Sequence, residues 1–145
     1  MDDEKMLAES RVRSMQEVEG SILLDLYELD DRFLQYSYLI ECGSVLPPMS
    51  AELKTDDFLI RECEVRTWAG VLVGERGRCE IFGDSESLAV RGALALLKEV
   101  ADGRTRHQVA EHKWRLLDDP VFASHFTERQ LSGLRAVVGR IGARS

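Results

Sequence analysis

What this chain lacks narrows its possible roles before any motif does. No apolar run approaches the about 20 residues that a membrane-spanning helix needs, so no membrane role is expected. An excess of basic residues is also missing. Asp and Glu number 26 against 19 Lys and Arg, a net charge of −7, whereas binding to nucleic acid or an anionic membrane surface is dominated by a basic face. The acidic start MDDEK has neither the basic nor the apolar region of a secretion signal, and a cytoplasmic location is expected. Cysteine is scarce and odd in number at three, which excludes a complete disulfide framework and fits a reducing compartment. No internal repeat or low-complexity linker divides the chain. With 145 residues, 44% of them hydrophobic, residues 1–145 suffice for one core and one domain, with residues 1–13 expected to be a flexible or loosely docked terminus.

From Ser14 onward, Met15, Val18, Ile22, Leu26 and Leu29 fall three or four apart and predict a first helix. Asp30 or Asp31 can cap a second, with Phe33, Tyr36, Leu39 and Ile40 inward, stopped by Gly43 and the Pro47-Pro48 pair. Residues 49–57 read as a loop. The runs 67–73 and 78–82, joined by Gly-Glu-Arg-Gly, predict an antiparallel hairpin, ended by Gly83, Asp84 and Ser85. Ser85 or Ser87 can cap a helix over 86–101 that is apolar around most of its circumference and so belongs at the centre of the fold. Asp102-Gly103 closes it. A shorter helix over 106–116, capped by Thr105, is broken by Asp119-Pro120. Thr127 and Gln130 form a capping-box pattern for a last helix with Leu131, Leu134, Val138 and Ile141 on one face. The order of helices, strands and helices predicts an α+β domain, a small antiparallel sheet packed against several helices.

The chemistry centres on the stretch FLIRECEVRTW, Phe58 to Trp68. Cys63 has Arg61, Glu62, Glu64 and Arg66 around it, whereas a packing cysteine usually sits among hydrophobes, and this suggests a loop tip reachable by solvent or a partner. Cys42, beside Ile40, and Cys79, alternating with Ile81, read as core thiols. Trp68 reads as a core anchor beside the loop, and His107 and His112 as solvated residues on a polar helical face. Three cysteines spread over a helix, a loop and a strand, without a Cys-x-x-Cys pair, make a poor iron–sulfur ligand set.

Several landmarks together resemble the SufE family of sulfur-acceptor proteins from about Leu29 to the end of the chain. They are YSYLIECGSVLP from Tyr36, the cysteine stretch ending at Trp68, the glycine-bounded hairpin, Gly83-Asp84-Ser85 followed by Val90-Arg91-Gly92, and HFTERQLSGL from His125. The resemblance implies a SufE/IscU-like fold. It also implies a sulfurtransferase-like carrier that takes persulfide sulfur onto Cys63 from a cysteine desulfurase of the SufS or CsdA kind, stimulates that enzyme and passes sulfur to an iron–sulfur scaffold complex. The partner uses pyridoxal phosphate; no cofactor or metal is expected on this chain. Arg61, Glu62, Glu64, Arg66, Asp84 and His125 are the expected supporting or partner-contact residues, Asp84 by holding the cysteine loop closed. The family pattern commonly has glycine before the cysteine and a hydroxyl residue two positions after it, where this chain has Glu62 and Val65, and an arginine where it has Gln130. An exposed reactive thiol is prone to oxidation, which favours a loop that hides Cys63 among hydrophobes until a partner draws it out. Two alternatives are a desulfurase-binding modulator that carries no sulfur and a thiol enzyme pairing Cys63 with His125.

Overall fold

Ser14 opens the first helix with a reciprocal cap: its hydroxyl accepts from the Glu17 N–H at 3.1 Å while the Glu17 carboxylate accepts from the Ser14 N–H. The computed structural model describes residues 13–142, so the expectation of a flexible 1–13 segment falls almost wholly outside the described residues. Helix α1 spans Met15–Glu28 and α2 Arg32–Ser44, the latter capped by Asp31. A 3-10 turn, Ala51–Leu53, lies in the connection to strand β1, Thr67–Val73. Strand β2, Cys79–Ser85, returns antiparallel in register from Thr67↔Ser85 to Val73↔Cys79. The turn between them carries Arg76 and Gly77 at φ of 62° and 71°, a left-handed bend suited to the glycine. Helices α3 (Leu88–Ala101), α4 (Arg106–Glu111), α5 (Pro120–Ala123) and α6 (Glu128–Gly142) follow. The described residues thus form an α+β fold of six α-helices and a two-stranded antiparallel sheet.

The core is built around α3. Buried residues fall on most of its circumference, and it packs against α2, β2, α1 and α6. Alternation along β2 turns Cys79, Ile81, Gly83 and Ser85 inward, as the period of a strand requires. Helices α2 and α3 approach closely at Gly92, where a Cβ would collide with the Leu39 carbonyl.

Local expectations fail where a tertiary contact overrides the pattern. Gly83, Asp84 and Ser85 continue β2 rather than ending it, because β1 starts at Thr67 and pairs with all three. Ser87, not Ser85, caps α3, which begins at Leu88 instead of Glu86, and Leu88 is exposed. The stripe Phe33, Tyr36, Leu39 and Ile40 is not the inward face of α2. Only Leu39 of these is buried, and Phe33 is 74% exposed. The predicted 106–116 helix stops at Glu111, since His112 turns extended and the N–H groups of Arg115 and Leu116 are taken by the Glu19 carboxylate, each at 2.9 Å. Asp119-Pro120 does not merely break the chain's pattern. Asp119 accepts from the Val121 and Phe122 N–H groups and Pro120 takes the first position of α5, where its missing N–H costs nothing. On α6, Val137 is buried and Val138 only partly. His112 is not solvated, because its side chain is 2% exposed and its Nε2 lies 3.0 Å from Glu19 Oε1.

Candidate functional site

Cys63 sits at the apex of a loop pinched at its base. The Ile60 N–H donates to the Thr67 carbonyl at 2.8 Å and the Ala69 N–H to the Phe58 carbonyl at 2.9 Å, with a bridge between Leu59 and Trp68. These bonds extend the hairpin's ladder backwards and fix where the loop leaves the sheet. From α6, Arg140 reaches the same base, its guanidinium donating to the carbonyls of Asp57, Ala69 and Leu59 at 3.4–3.5 Å. The other limb is tied down where the Glu86 N–H donates to the Arg66 carbonyl at 2.9 Å.

The apex itself turns inward. Cys63 is 8% exposed and belongs to the apolar core; its N–H donates to the Ile60 carbonyl at 3.3 Å. Of the two expectations for this loop, a tip reachable by solvent or a partner and a loop that hides Cys63 among hydrophobes, the structure has the second. Its seat is Gly133 of α6, where a Cβ would stand 2.5 Å from Cys63 Cβ and 3.1 Å from Sγ. The sulfur accepts a hydrogen bond from the Thr67 hydroxyl at 3.5 Å. Thr67 Oγ1 also lies 3.2 Å from the Val65 carbonyl and 2.8 Å from Ser85 Oγ. Glu64 accepts from the hydroxyl of Thr127 at 2.6 Å, the same hydroxyl that caps α6 by accepting from the Gln130 N–H at 3.1 Å.

Arg61, Glu62, Glu64 and Arg66 are all exposed and form a rim around the hidden thiol. A shallow depression of about 230 Å³, lined by Leu59, Ile60 and the residues from Arg61 to Arg66 except Glu62, opens beside it. Two acidic and two basic side chains leave this rim with no net charge, although the whole chain carries −7.

Asp84 and His125 stand apart from the sulfur. Asp84 binds Lys54 at 2.8 Å and lies 3.4 Å from Arg91 Nε. Burial alone would raise its carboxyl; the bonds from Lys54 and the Ser85 N–H, with the Arg91 charge, outweigh that and hold it below the ordinary value. It meets the loop indirectly, since Lys54 lies 5.2 Å over the half-buried Trp68 ring. His125 Nε2 is 2.9 Å from Gln35 Oε1 on α2 and its ring faces Tyr36. Burial, then the Arg32 charge, pulls its imidazole below the usual histidine range.

Cys42 and Cys79 are free thiols, the first half-buried and the second buried. Burial pushes both up from the ordinary cysteine value, opposed at Cys42 by a hydrogen bond from Tyr38 and at Cys79 by the Arg106 charge. Burial of this kind disfavours the thiolate, the reactive form of a thiol. Among the described residues no three His, Cys, Asp or Glu side chains gather into a metal-binding group. No helix among them is long and apolar enough to cross a membrane.

The model of the SufE family, described as an Fe-S metabolism associated domain, matches residues 20–145. This chain belongs to the SufE family. It is 36% identical over 104 residues, 71% of each chain, to the sulfur acceptor protein CsdE of Escherichia coli strain K12. The solution structure of a hypothetical protein from Thermus thermophilus shares its fold, with a TM-score of 0.66 over 90% of this chain and 93% of that one, at 18% identity. In this SufE-family chain Val65 brings no hydroxyl to the loop, and the Thr67 hydroxyl is the one that lies 3.5 Å from the sulfur. Gln130 uses its side chain to accept from the Thr127 N–H at 3.0 Å, completing the expected capping box. Gly133 and Arg140 were not found as site residues from the sequence, because only the fold brings their positions to the cysteine, and Thr67, four residues from Cys63, was passed over because sequence alone does not show its hydroxyl turned to the sulfur.

Proposed function

We propose that this SufE-family chain is a sulfur acceptor that takes sulfur from a cysteine desulfurase onto Cys63, stimulates that enzyme by clearing its persulfide, and hands the sulfur on for iron–sulfur cluster assembly. The observation that carries this reading is the placement of Cys63 at the apex of a pinched loop, inside a rim of exposed charged residues. The other two thiols lie within regular elements, Cys42 in helix α2 and Cys79 in strand β2.

In the transfer, the Cys63 thiolate attacks the outer sulfur of the donor's persulfide. A sulfur–sulfur bond forms at Cys63 as the donor's own breaks, the bonding pair leaves with the donor cysteine, and the proton given up by Cys63 is recovered there. Sulfur moves without net oxidation or reduction, so the step asks for no metal or organic cofactor on this chain. The donor's pyridoxal phosphate would have released the sulfur from cysteine beforehand. A donor sulfur cannot reach a thiol that is 8% exposed, so the loop must leave its seat on Gly133 during transfer. The exposed Arg61, Glu62, Glu64 and Arg66 are the groups a docking desulfurase meets first.

Intact-mass spectrometry after incubation with a cysteine desulfurase and cysteine, followed by peptide mapping, tests this. One added sulfur on the Cys63 peptide, absent in Cys63→Ser, is the expected result. Stimulation of the enzyme with no sulfur on Cys63 would replace the carrier by a modulator that only binds.

A further inference from the structure

We infer that Thr67, oriented by Ser85, is a positioning residue whose hydroxyl holds the Cys63 sulfur in the retracted loop. The inference rests on the reading of Cys63 as the acceptor and adds a residue through which its availability is set. Thr67 is 1% exposed and Ser85 7% exposed, so both hydroxyls need partners within the protein. The Ser87 N–H donates to Ser85 Oγ at 3.1 Å. That oxygen, already accepting, is free to give its own proton to Thr67 Oγ1, 2.8 Å away. Thr67's single proton is then left to face the loop, where two acceptors stand within reach, Cys63 Sγ at 3.5 Å and the Val65 carbonyl at 3.2 Å.

These two acceptors both lie on the loop, one at its apex, Cys63, and the other two residues on. One hydroxyl therefore touches both the sulfur and the backbone that must move for it to emerge. Its own backbone is fixed independently, by the pairing of Thr67 with Ser85 at the end of the sheet and by the bond from Ile60 to the Thr67 carbonyl. Thr67 thus stays on the scaffold side of the hinge while Cys63 swings. The Asp84 carboxylate, which accepts from the Ser85 N–H at 2.8 Å, braces the strand residue behind it.

Threonine and valine have nearly the same shape, and threonine and serine share the hydroxyl, so the two substitutions separate bonding from packing. The measurement is the rate of iodoacetamide alkylation at each cysteine of the full chain, resolved by peptide mapping and without any desulfurase. Alkylation of a buried thiol follows the population of the opened loop when closing is fast. Losing one net hydrogen bond raises that population about fivefold. Thr67→Val is expected to raise the Cys63 rate by about that factor, while Thr67→Ser stays within about twofold of the natural chain. Cys79, 3% exposed in β2, should keep its rate in both, since only the loop opens.

An unchanged Cys63 rate in Thr67→Val, a Thr67→Ser rate as high as that of Thr67→Val, or an equal rise at Cys79 would each overturn the inference. Should Thr67→Val not fold, Ser85→Ala withdraws the orienting partner instead and must itself raise the Cys63 rate selectively, or the inference fails. The outcome is independent of whether Cys63 accepts sulfur. A natural chain that gains no sulfur from the desulfurase defeats the carrier reading while leaving the alkylation pattern intact.

Discussion

A glycine decides how deeply Cys63 can retract. Because a Cβ at position 133 would fall 2.5 Å from Cys63 Cβ, well inside van der Waals contact, Gly133→Ala must displace either α6 or the loop. The helix is anchored by Leu131, Leu134, Val137 and Ile141 in the core, so the loop yields. Gly133→Ala is expected to lower stability by about 1–3 kcal/mol and to raise Cys63 alkylation, read by urea titration and peptide-mapped labelling. A stable variant whose Cys63 labels no faster would show that the seat lies elsewhere. Glu19 makes a second case at this scale. Its carboxylate is 0% exposed and accepts from two backbone N–H groups while contacting His112. Glu19→Ala leaves those groups buried without an acceptor, and a loss of about 3 kcal/mol in urea unfolding is expected. Cys63 stands out in the sequence as a candidate because charges around a cysteine are unusual. Glu19 and His112 were not, because a buried acid and imidazole look like surface residues until their distant partners are known.

At the scale of elements, legibility follows locality. Caps and turns are written within four residues, and the reciprocal caps at Ser14, Thr105 and Thr127 all form. The inward face of α2 depends instead on where α3 lies, and the Phe33 and Tyr36 stripe misleads because, among the described residues, both stay exposed. Thr127 shows how one residue serves both levels, since it caps α6 and tethers the cysteine loop through Glu64. Its two jobs separate by mutation. Thr127→Ala is expected to cost about 1 kcal/mol of stability through the lost cap, whereas Glu64→Ala, at an exposed site, stays within about 0.5 kcal/mol of the natural chain. Both should raise Cys63 alkylation, since both cut the tether. If only Thr127→Ala does so, the loop responds to the helix end rather than to the Glu64 bond, and the tether has no role.

For the whole molecule, Asp84 joins parts far apart in sequence. From β2 it reaches Lys54 in the segment before the cysteine loop and faces Arg91 on α3, so its charge ties the loop's approach to the central helix. Its carboxyl is held below the ordinary value of 3.8 despite the burial that opposes this. Between the folded and unfolded values the unfolded chain binds more protons, and stability therefore rises with pH across that window. The contribution is complete above the ordinary carboxylate value and is lost as pH falls through the lower, folded one. Asp84→Asn keeps the shape and removes the charge. It should be less stable than the natural chain at pH 7, with the gap narrowing as acid protonates Asp84 in the latter. Urea midpoints taken from pH 7 down towards pH 3 on both proteins measure this directly. His125 leaves the comparison unaffected because it is present in both, and its own depressed value acts earlier, removing stability as pH falls through the ordinary histidine range near 6.5. Curves that coincide from pH 7 to the acid limit would mean that Asp84 acts through its hydrogen-bonding shape, with the charge links to Lys54 and Arg91 adding nothing to the fold.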